Sequence, residues 1–230
     1  YLDETTVNAD TTVAQLEILV KESAAGPGER HFPTWGMSWW CRPLRGTLQR
    51  VVIFPLIRWM YGVRVLDTRH LDGNGGPVLY AANHTLSLDN VLLIKSLPSE
   101  KRKRLAIAAS DHMFSNPLQS VIIPALGNGF PFSKEGAIRP SLENVGRILD
   151  GGWSVLIYPE GELTPGGPMK PFLAGTGLLA VESGIPVVPI RLHIRKMGSP
   201  QRIPFLRRGD VEVRFGEPLH FSGSTPYLEA

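Results

Sequence analysis

His84 and Asp89 stand five positions apart in Asn83-His84-Thr85-Leu86-Ser87-Leu88-Asp89. A histidine partnered by a carboxylate is a simple proton-moving device near neutral pH. On one continuous helix that spacing would put the two side chains about 140° apart around the axis. They can meet only if His84 lies in the turn before a helix and Asp89 in its first turn. Asp89 then accepts a hydrogen bond from one imidazole nitrogen, and the other is left to take a proton from a substrate hydroxyl. The neighbours suit this arrangement. Val78 to Ala82 is an apolar run that reads as a buried strand, and helical spacing begins at Leu88 and continues through Leu92 and Leu93. Ser87 reads as the N-cap. His84 thus falls at the carboxyl end of a strand, where open α/β sheets place their ligands. The pattern alone is not specific, because the helix dipole favours an aspartate in a first turn without any partner.

A second constellation lies downstream, in Val155-Leu156-Ile157-Tyr158-Pro159-Glu160-Gly161-Glu162-Leu163-Thr164. Here too an apolar strand ends in polar residues, with Glu160 at the rim and Gly161 free to let backbone approach a ligand. An ordinary Pro-Gly turn carrying a solvated glutamate is the plain alternative. Between the two constellations runs Gly127-Asn128-Gly129-Phe130-Pro131-Phe132-Ser133-Lys134, with Arg139 just beyond. Glycines around a short strand that ends in a basic residue suit an anion pocket. Gly184-Ile185-Pro186-Val187-Val188-Pro189-Ile190 reads as a buried strand that shapes the wall.

These residues need a scaffold, and the periodicity supplies one. Val63 to Leu66, Val78 to Ala82, Leu105 to Ala109, Phe130 to Phe132, Val155 to Tyr158, Val187 to Ile190 and Val211 to Phe215 read as strands. Leu88 to Leu97, Ser141 to Leu149 and Phe172 to Glu182 read as helices between them. Alternation of this kind predicts an α/β fold, a mostly parallel central sheet flanked by helices. Lys101-Arg102-Lys103-Arg104 reads as the solvated start of a strand in preference to an anion site.

Ahead of this core, residues 31–63 hold four of the five tryptophans, Trp35, Trp39, Trp40 and Trp59, among Arg42, Arg45, Arg50 and Arg58. Aromatic rings mixed with arginines suit a helical segment lying in a membrane interface. A helix packed on the domain with its arginines in water fits equally, and Pro55 would disturb one long helix. Residues 1–30 read as a short helix, with Val13, Leu16, Leu19 and Val20 on one face, followed by a linker.

With 230 residues and 43% apolar composition the chain can bury one sizeable core. A formal charge of +3 and a pI near 9.1 suit acidic ligands or an anionic membrane surface. No nucleic-acid signature is present, so nucleic acid is not an expected partner. The single Cys41 excludes an internal disulfide and fits a reducing compartment. No run reaches the roughly 18 apolar residues of a spanning helix. The expected location is cytoplasmic, at the surface of the cytoplasmic membrane. Without an initiator methionine, the sequence is expected to be part of a longer protein.

The ordered set N-H-x-x-x-x-D, F-P-F-S-K, Y-P-E-G and I-P-V-V-P-I resembles the glycerolipid acyltransferases of the PlsC, or lysophosphatidic acid acyltransferase, type, over residues 35 to 220. The resemblance implies that His84 is a general base and that Asp89 orients it. It further implies that an acyl thioester of coenzyme A or acyl carrier protein is the co-substrate, with no other cofactor and no metal. A lysophospholipid, like 1-acylglycerol-3-phosphate, is the implied acceptor. Asn83, Ser133, Lys134, Arg139, Glu160, Gly161, Glu162 and Leu163 are the implied substrate-binding positions. Residues 31–230 then form the acyltransferase domain, 31–63 its interfacial segment and 64–220 its catalytic core. Residues 1–30 resemble the remnant of a carrier-like module, which points to fusion with an upstream acyl-activating or carrier domain. Two departures bear on the acceptor. The family's second motif commonly ends in Asp-Arg, where this chain has Ser133-Lys134. Its third commonly reads Phe-Pro-Glu-Gly-Thr-Arg-Ser, where this chain has Tyr158 to Thr164. The same chemistry on a non-phosphate alcohol, or a non-catalytic acyl- or lipid-binding module of a larger protein, are the remaining readings.

Overall fold

The computed structural model describes residues 34–73, 75–133, 138–165, 167–197 and 209–221, with only the backbone of 138, 139, 196 and 197. The expected helix and linker in 1–30 lie outside them. Seven strands form one sheet: β1 (Tyr61–Leu66), β2 (Leu79–Ala82), β3 (Leu105–Ser110), β4 (Gly129–Phe132), β5 (Ser154–Ile157), β6 (Val187–Met197) and β7 (Gly209–Phe215). Their spatial order is β1-β7-β6-β2-β5-β3-β4. All neighbours are parallel except β6 and β7. The carboxyl ends of β2, β3, β4, β5 and the first half of β6 therefore open on one edge.

Alternate residues of these strands feed two cores, one on each face. Tyr80, Leu105, Ile107, Leu156 and Val188 pack on one side. Leu79, Ala106, Val155, Ile157 and Val187 pack on the other. The short apolar runs are buried from both sides, which is why they carry no polar alternation. Each fully buried leucine, valine or isoleucine contributes about 1.5–3 kcal/mol.

The helices are α1 (Cys41–Leu48), α2 (Phe54–Met60), α3 (Asp89–Ser96), α4 (Ser99–Lys103), α5 (Pro117–Gly127), α6 (Ile138–Asp150) and α7 (Ala174–Ser183). α1 and α2 are joined without a break by a π turn, Gln49–Ile53. Pro55 has no N–H to close on Val51, and its ring crowds that carbonyl. The wider turn just before Pro55 accommodates the defect, so the helix continues where the sequence predicts a disturbance. β1 begins at Tyr61, and the expected boundary between residues 63 and 64 falls inside it.

α5 has no counterpart in the sequence reading. Asn116 caps it, its side chain accepting from the N–H of Leu118 and Gln119 at 2.9 and 3.3 Å. Its last-turn carbonyls are covered by α1 and the π turn. Arg45 donates to Pro124 O at 3.2 Å, and Gln49 Nε2 to Leu126 O at 2.8 Å. Gly127, Asn128 and Gly129 turn this helix into β4. Asn128 takes the left-handed conformation at φ 54°, and a Cβ on Gly129 would collide with Ile123. The glycines read as an anion pocket thus make a tight helix-to-strand turn at the amino end of β4, away from the open edge.

Candidate active site

β2 ends at Ala82, and Asn83 anchors the next turn to the neighbouring strand. Its side-chain amide donates to Leu192 O at 2.9 Å and accepts from Leu192 N at 2.7 Å. Asn83 therefore acts on β6, and it does not line the cavity described below. His84 follows in the turn, and α3 begins at Asp89. One carboxylate oxygen, Asp89 Oδ2, accepts from His84 Nδ1 at 2.9 Å, Thr85 N at 2.6 Å and Leu86 N at 2.9 Å. Asp89 is fully buried, at 0% exposure; three donors satisfy Oδ2, while Oδ1 is buried without a hydrogen-bond partner among the described residues. The N-cap position is Leu88, with no side-chain cap bond. Ser87 is thus not the cap the spacing predicts. Asp89 reaches back to the preceding N–H groups instead, closing the turn that carries the histidine. With Nδ1 donating to Asp89, Nε2 is an acceptor.

The turn after β5 is stitched to this one. Glu160 is buried; its Oε1 accepts from His84 N at 3.2 Å and its Oε2 from Lys170 N at 2.9 Å. Thr164 N donates to His84 O at 2.7 Å. Gly161 closes the turn on Tyr158 O at 2.9 Å, with φ 69°, where a side chain would be strained. Glu160 is therefore a brace between two loops and is absent from the cavity lining. Tyr158 stacks on the His84 ring, centroids 4.1 Å apart and planes 20° from parallel. Its hydroxyl donates to Asn90 Oδ1 at 2.6 Å. Burial, and after it the charge of Asp89, raise the Tyr158 phenol well above its ordinary range and keep it a donor.

His84, Asn90, Tyr158, Gly161, Glu162 and Leu163 border a cavity of about 430 Å³ over the open edge. Glu162 pairs with Lys170 Nζ at 2.6 Å, both half exposed. The negative charge that the sequence adds beside the cleft therefore has a cation against it. Ser133 lies just past β4, where its N–H donates to Ser141 Oγ at 2.9 Å, and does not border the cavity. Lys134 is outside the described residues. Arg139 lies in α6, its side chain likewise outside them.

A second cavity, of about 440 Å³, meets the first at Asn90 and Ala109 and runs beneath α2 and the π turn. Ile53, Ile57, Val91, Ile94, Ile122 and Ile123 are among its walls. Sequence reasoning missed this space, since its walls come from the continuous π turn and α2, from α3, from α5 and from β3. It also missed Asn90 and Lys170. An asparagine opening an otherwise apolar helix was the one available signal.

Trp39, Trp40 and Trp59 are exposed, and Trp35 stacks on Trp40 with centroids 6.4 Å apart. Leu44, Leu48, Val51, Val52 and Leu56 of the same segment are exposed too, as are Leu118, Val121 and Ile122 of the neighbouring α5. Clusters of exposed large apolar side chains on a protein surface mark interaction sites. Among the described residues no helix is long and apolar enough to cross a membrane.

Comparison with known proteins adds an independent line. A family model described as acyltransferase matches residues 62–193, more than half of the chain. The 1-acyl-sn-glycerol-3-phosphate acyltransferase beta of Homo sapiens is 28% identical over 173 residues, covering 73% of this chain and 60% of that protein. The lyso-ornithine lipid O-acyltransferase of Pseudomonas aeruginosa is 26% identical over 154 residues, covering 66% of this chain and 57% of that protein. This chain thus spans less than two thirds of the length of either relative. The crystal structure of the 1-acyl-sn-glycerophosphate acyltransferase PlsC from Thermotoga maritima shares the fold. Its TM-score is 0.58 at 18% identity, over 78% of this chain and 70% of that one.

Proposed function

The chain belongs to the acyltransferase family, and from that premise we propose that it transfers a fatty acyl group from an acyl thioester to the hydroxyl of a lysolipid, with His84 as general base and Asp89 as its orienting partner. The observation that carries this reading is the 2.9 Å bond between His84 Nδ1 and Asp89 Oδ2 on the wall of an open cavity. His84 Nε2 takes the proton of the acceptor hydroxyl as its oxygen bonds to the thioester carbonyl carbon. The C–S bond then breaks, and the departing thiolate takes that proton back from Nε2. The ester and the free thiol leave, and the enzyme is unchanged. Asp89 stabilises the imidazolium between the two proton transfers, and the Tyr158 ring faces it. Because a thioester is already activated, the protein's main task is alignment plus one proton transfer. No cofactor beyond the donor, coenzyme A or acyl carrier protein thioester, enters this scheme.

The apolar cavity beyond Asn90 offers the acyl chain a place to lie, with its carbonyl near His84. The exposed face of Trp39, Trp40, Trp59, Leu44 and Val51 supports docking on a membrane surface, from which both lipids would enter. For the acceptor, a lysophosphatidic-acid-like substrate follows the names of most relatives. A second reading, an acceptor without a phosphate monoester, draws on the lyso-ornithine lipid relative. It draws also on Leu163 at the cavity wall and on Glu162, already paired with Lys170.

A thiol-release assay with acyl-coenzyme A against a panel of lysolipids tests both readings. Release that depends on a lysolipid and is lost in His84→Ala is the expected result. Release unaffected by that substitution overturns the mechanism.

A further inference from the structure

The described residues carry a third concavity, at the opposite edge of the sheet from His84. It is a groove of about 580 Å³ between α1 and α4, and Arg42, Arg50, Arg102, Lys103 and Arg104 stand along it. Arg104 immediately precedes β3, so the groove lies at the amino ends of the parallel strands. With Arg45, six cations border it against one acid, Glu100. Lys103 takes that acid at 2.8 Å. Arg102 is held in place by Leu97 O at 3.1 Å and Ile94 O at 3.3 Å, and lies 4.8 Å over the Phe54 ring. Arg42 stacks 5.2 Å over the Trp153 ring, and its Nε is buried without a hydrogen-bond partner. Arg42, Arg50 and Arg104 have no carboxylate partner among the described residues.

Such crowding of like charge is costly within the fold. Burial, and after it the charge of Arg50, lower the Arg102 pKa from its ordinary value. A bound anion offsets that cost. Guanidinium forks match the paired oxygens of a phosphate.

The rest of the helix identifies which phosphate. Arg42, Gly46 and Arg50 recur every fourth residue on the groove side of the segment. Leu44 and Leu48, continued by Val51 and Val52, recur on the remaining exposed side. A helix with one exposed flank apolar and the other arginine-rich fits the boundary between acyl chains and head groups. We propose that the groove between α1 and α4 binds the phosphate of an anionic phospholipid at the membrane surface, separately from the reaction centre. This rests on the membrane docking put forward above. It also reassigns Arg102, Lys103 and Arg104 of the run that the sequence presents as the solvated start of a strand.

The test compares binding of the full chain to vesicles of phosphatidylcholine alone and to vesicles that also hold phosphatidylglycerol. The parent is expected to bind both, and the anionic ones more tightly. Arg50→Gln with Arg104→Gln should weaken anionic-vesicle binding by about thirtyfold, from two surface cations near the head groups, and leave phosphatidylcholine binding unchanged. The control, Arg64→Gln with Arg191→Gln, removes the same charge from exposed positions on β1 and β6 and should lose far less. Equal losses in the two double variants would mean that net charge alone attracts the protein, and would overturn the groove. A thermal shift produced by inorganic pyrophosphate without lipid, and abolished in the groove variant, would overturn the lipid assignment in favour of a soluble phosphate. Failure of the parent to bind phosphatidylcholine, with anionic preference retained, refutes only the apolar docking. Failure to bind either vesicle refutes both.

Discussion

The two cavities that meet at Asn90 are nearly equal in volume and are held by different forces. Around His84 every position is set by directional bonds. Asp89 Oδ2 takes three donors, Glu160 spans two loops, and Asn83 ties the turn to β6. The neighbouring space is walled by isoleucines, leucines and a phenylalanine, with few polar groups. A proton transfer demands placement to a few tenths of an ångström, which only directional bonds supply. A methylene chain demands volume and dryness, which side-chain packing supplies without fixing a register.

That contrast can be broken at its strongest point. His84→Ala should lower turnover by about 10²- to 10⁴-fold, the worth of a positioned base, and should also lower the melting temperature, because buried Asp89 loses one of its three donors. Asp89→Asn should lose much of the rate and also destabilise, since the site offers three donors to a carboxylate oxygen. Parental turnover in His84→Ala, measured as thiol release, would mean the bonded network has no catalytic part.

Glu160→Gln separates bracing from substrate contact. Each hydrogen bond to a charged group is worth about 1.5–3 kcal/mol, so melting temperature and kcat should both fall. Acyl-chain preference should not move, because the brace does not border the apolar space. A change in KM for the acceptor alone, with stability intact, would instead place Glu160 against substrate.

The apolar cavity should respond in the opposite way. Ile123→Trp narrows it and should shift preference toward shorter acyl donors, about 0.8 kcal/mol or roughly fourfold in kcat/KM for each methylene excluded. Turnover with short donors should stay close to parental. An unchanged chain-length profile would remove the acyl chain from this space.

The smallest effect concerns stability on the apolar side of the sheet. Burial pushes the Tyr80 phenol up to about 12, and its hydroxyl has no hydrogen-bond partner among the described residues. Its contribution is fully present below the unfolded value near 10 and is lost as pH rises toward 12, in total about 2–3 kcal/mol. Tyr80→Phe should be neutral or stabilising at pH 7 and should lessen the alkaline loss, followed as unfolding midpoint against pH. The Tyr158 phenol, raised for the same first reason, should leave part of that loss in place.

Much of the fold was legible because it depends on local composition. All seven strands announce themselves as apolar or alternating runs, and helical geometry requires a turn between Ala82 and Asp89 if His84 and Asp89 are to meet. α5 was not legible. Pro117 and Pro124 punctuate it, and its apolar residues follow no helical period because they face the second cavity, neighbouring helices and solvent at once. Ser87 looked like a cap, yet no side chain caps α3, and Asp89 closes the preceding turn instead.

The sequence by itself determined the alternating α/β order and the placing of both motifs at strand ends. These follow from periodicity and spacing, which are properties of neighbouring residues. Tertiary structure alone decided that Glu160 and Asn83 brace the loops, that Lys170 sits against Glu162, and that an apolar cavity adjoins the histidine. It also decided that α4 faces α1 across a line of arginines. Most of these join residues far apart in the chain, and such encounters are set by how the helices and loops pack on the sheet.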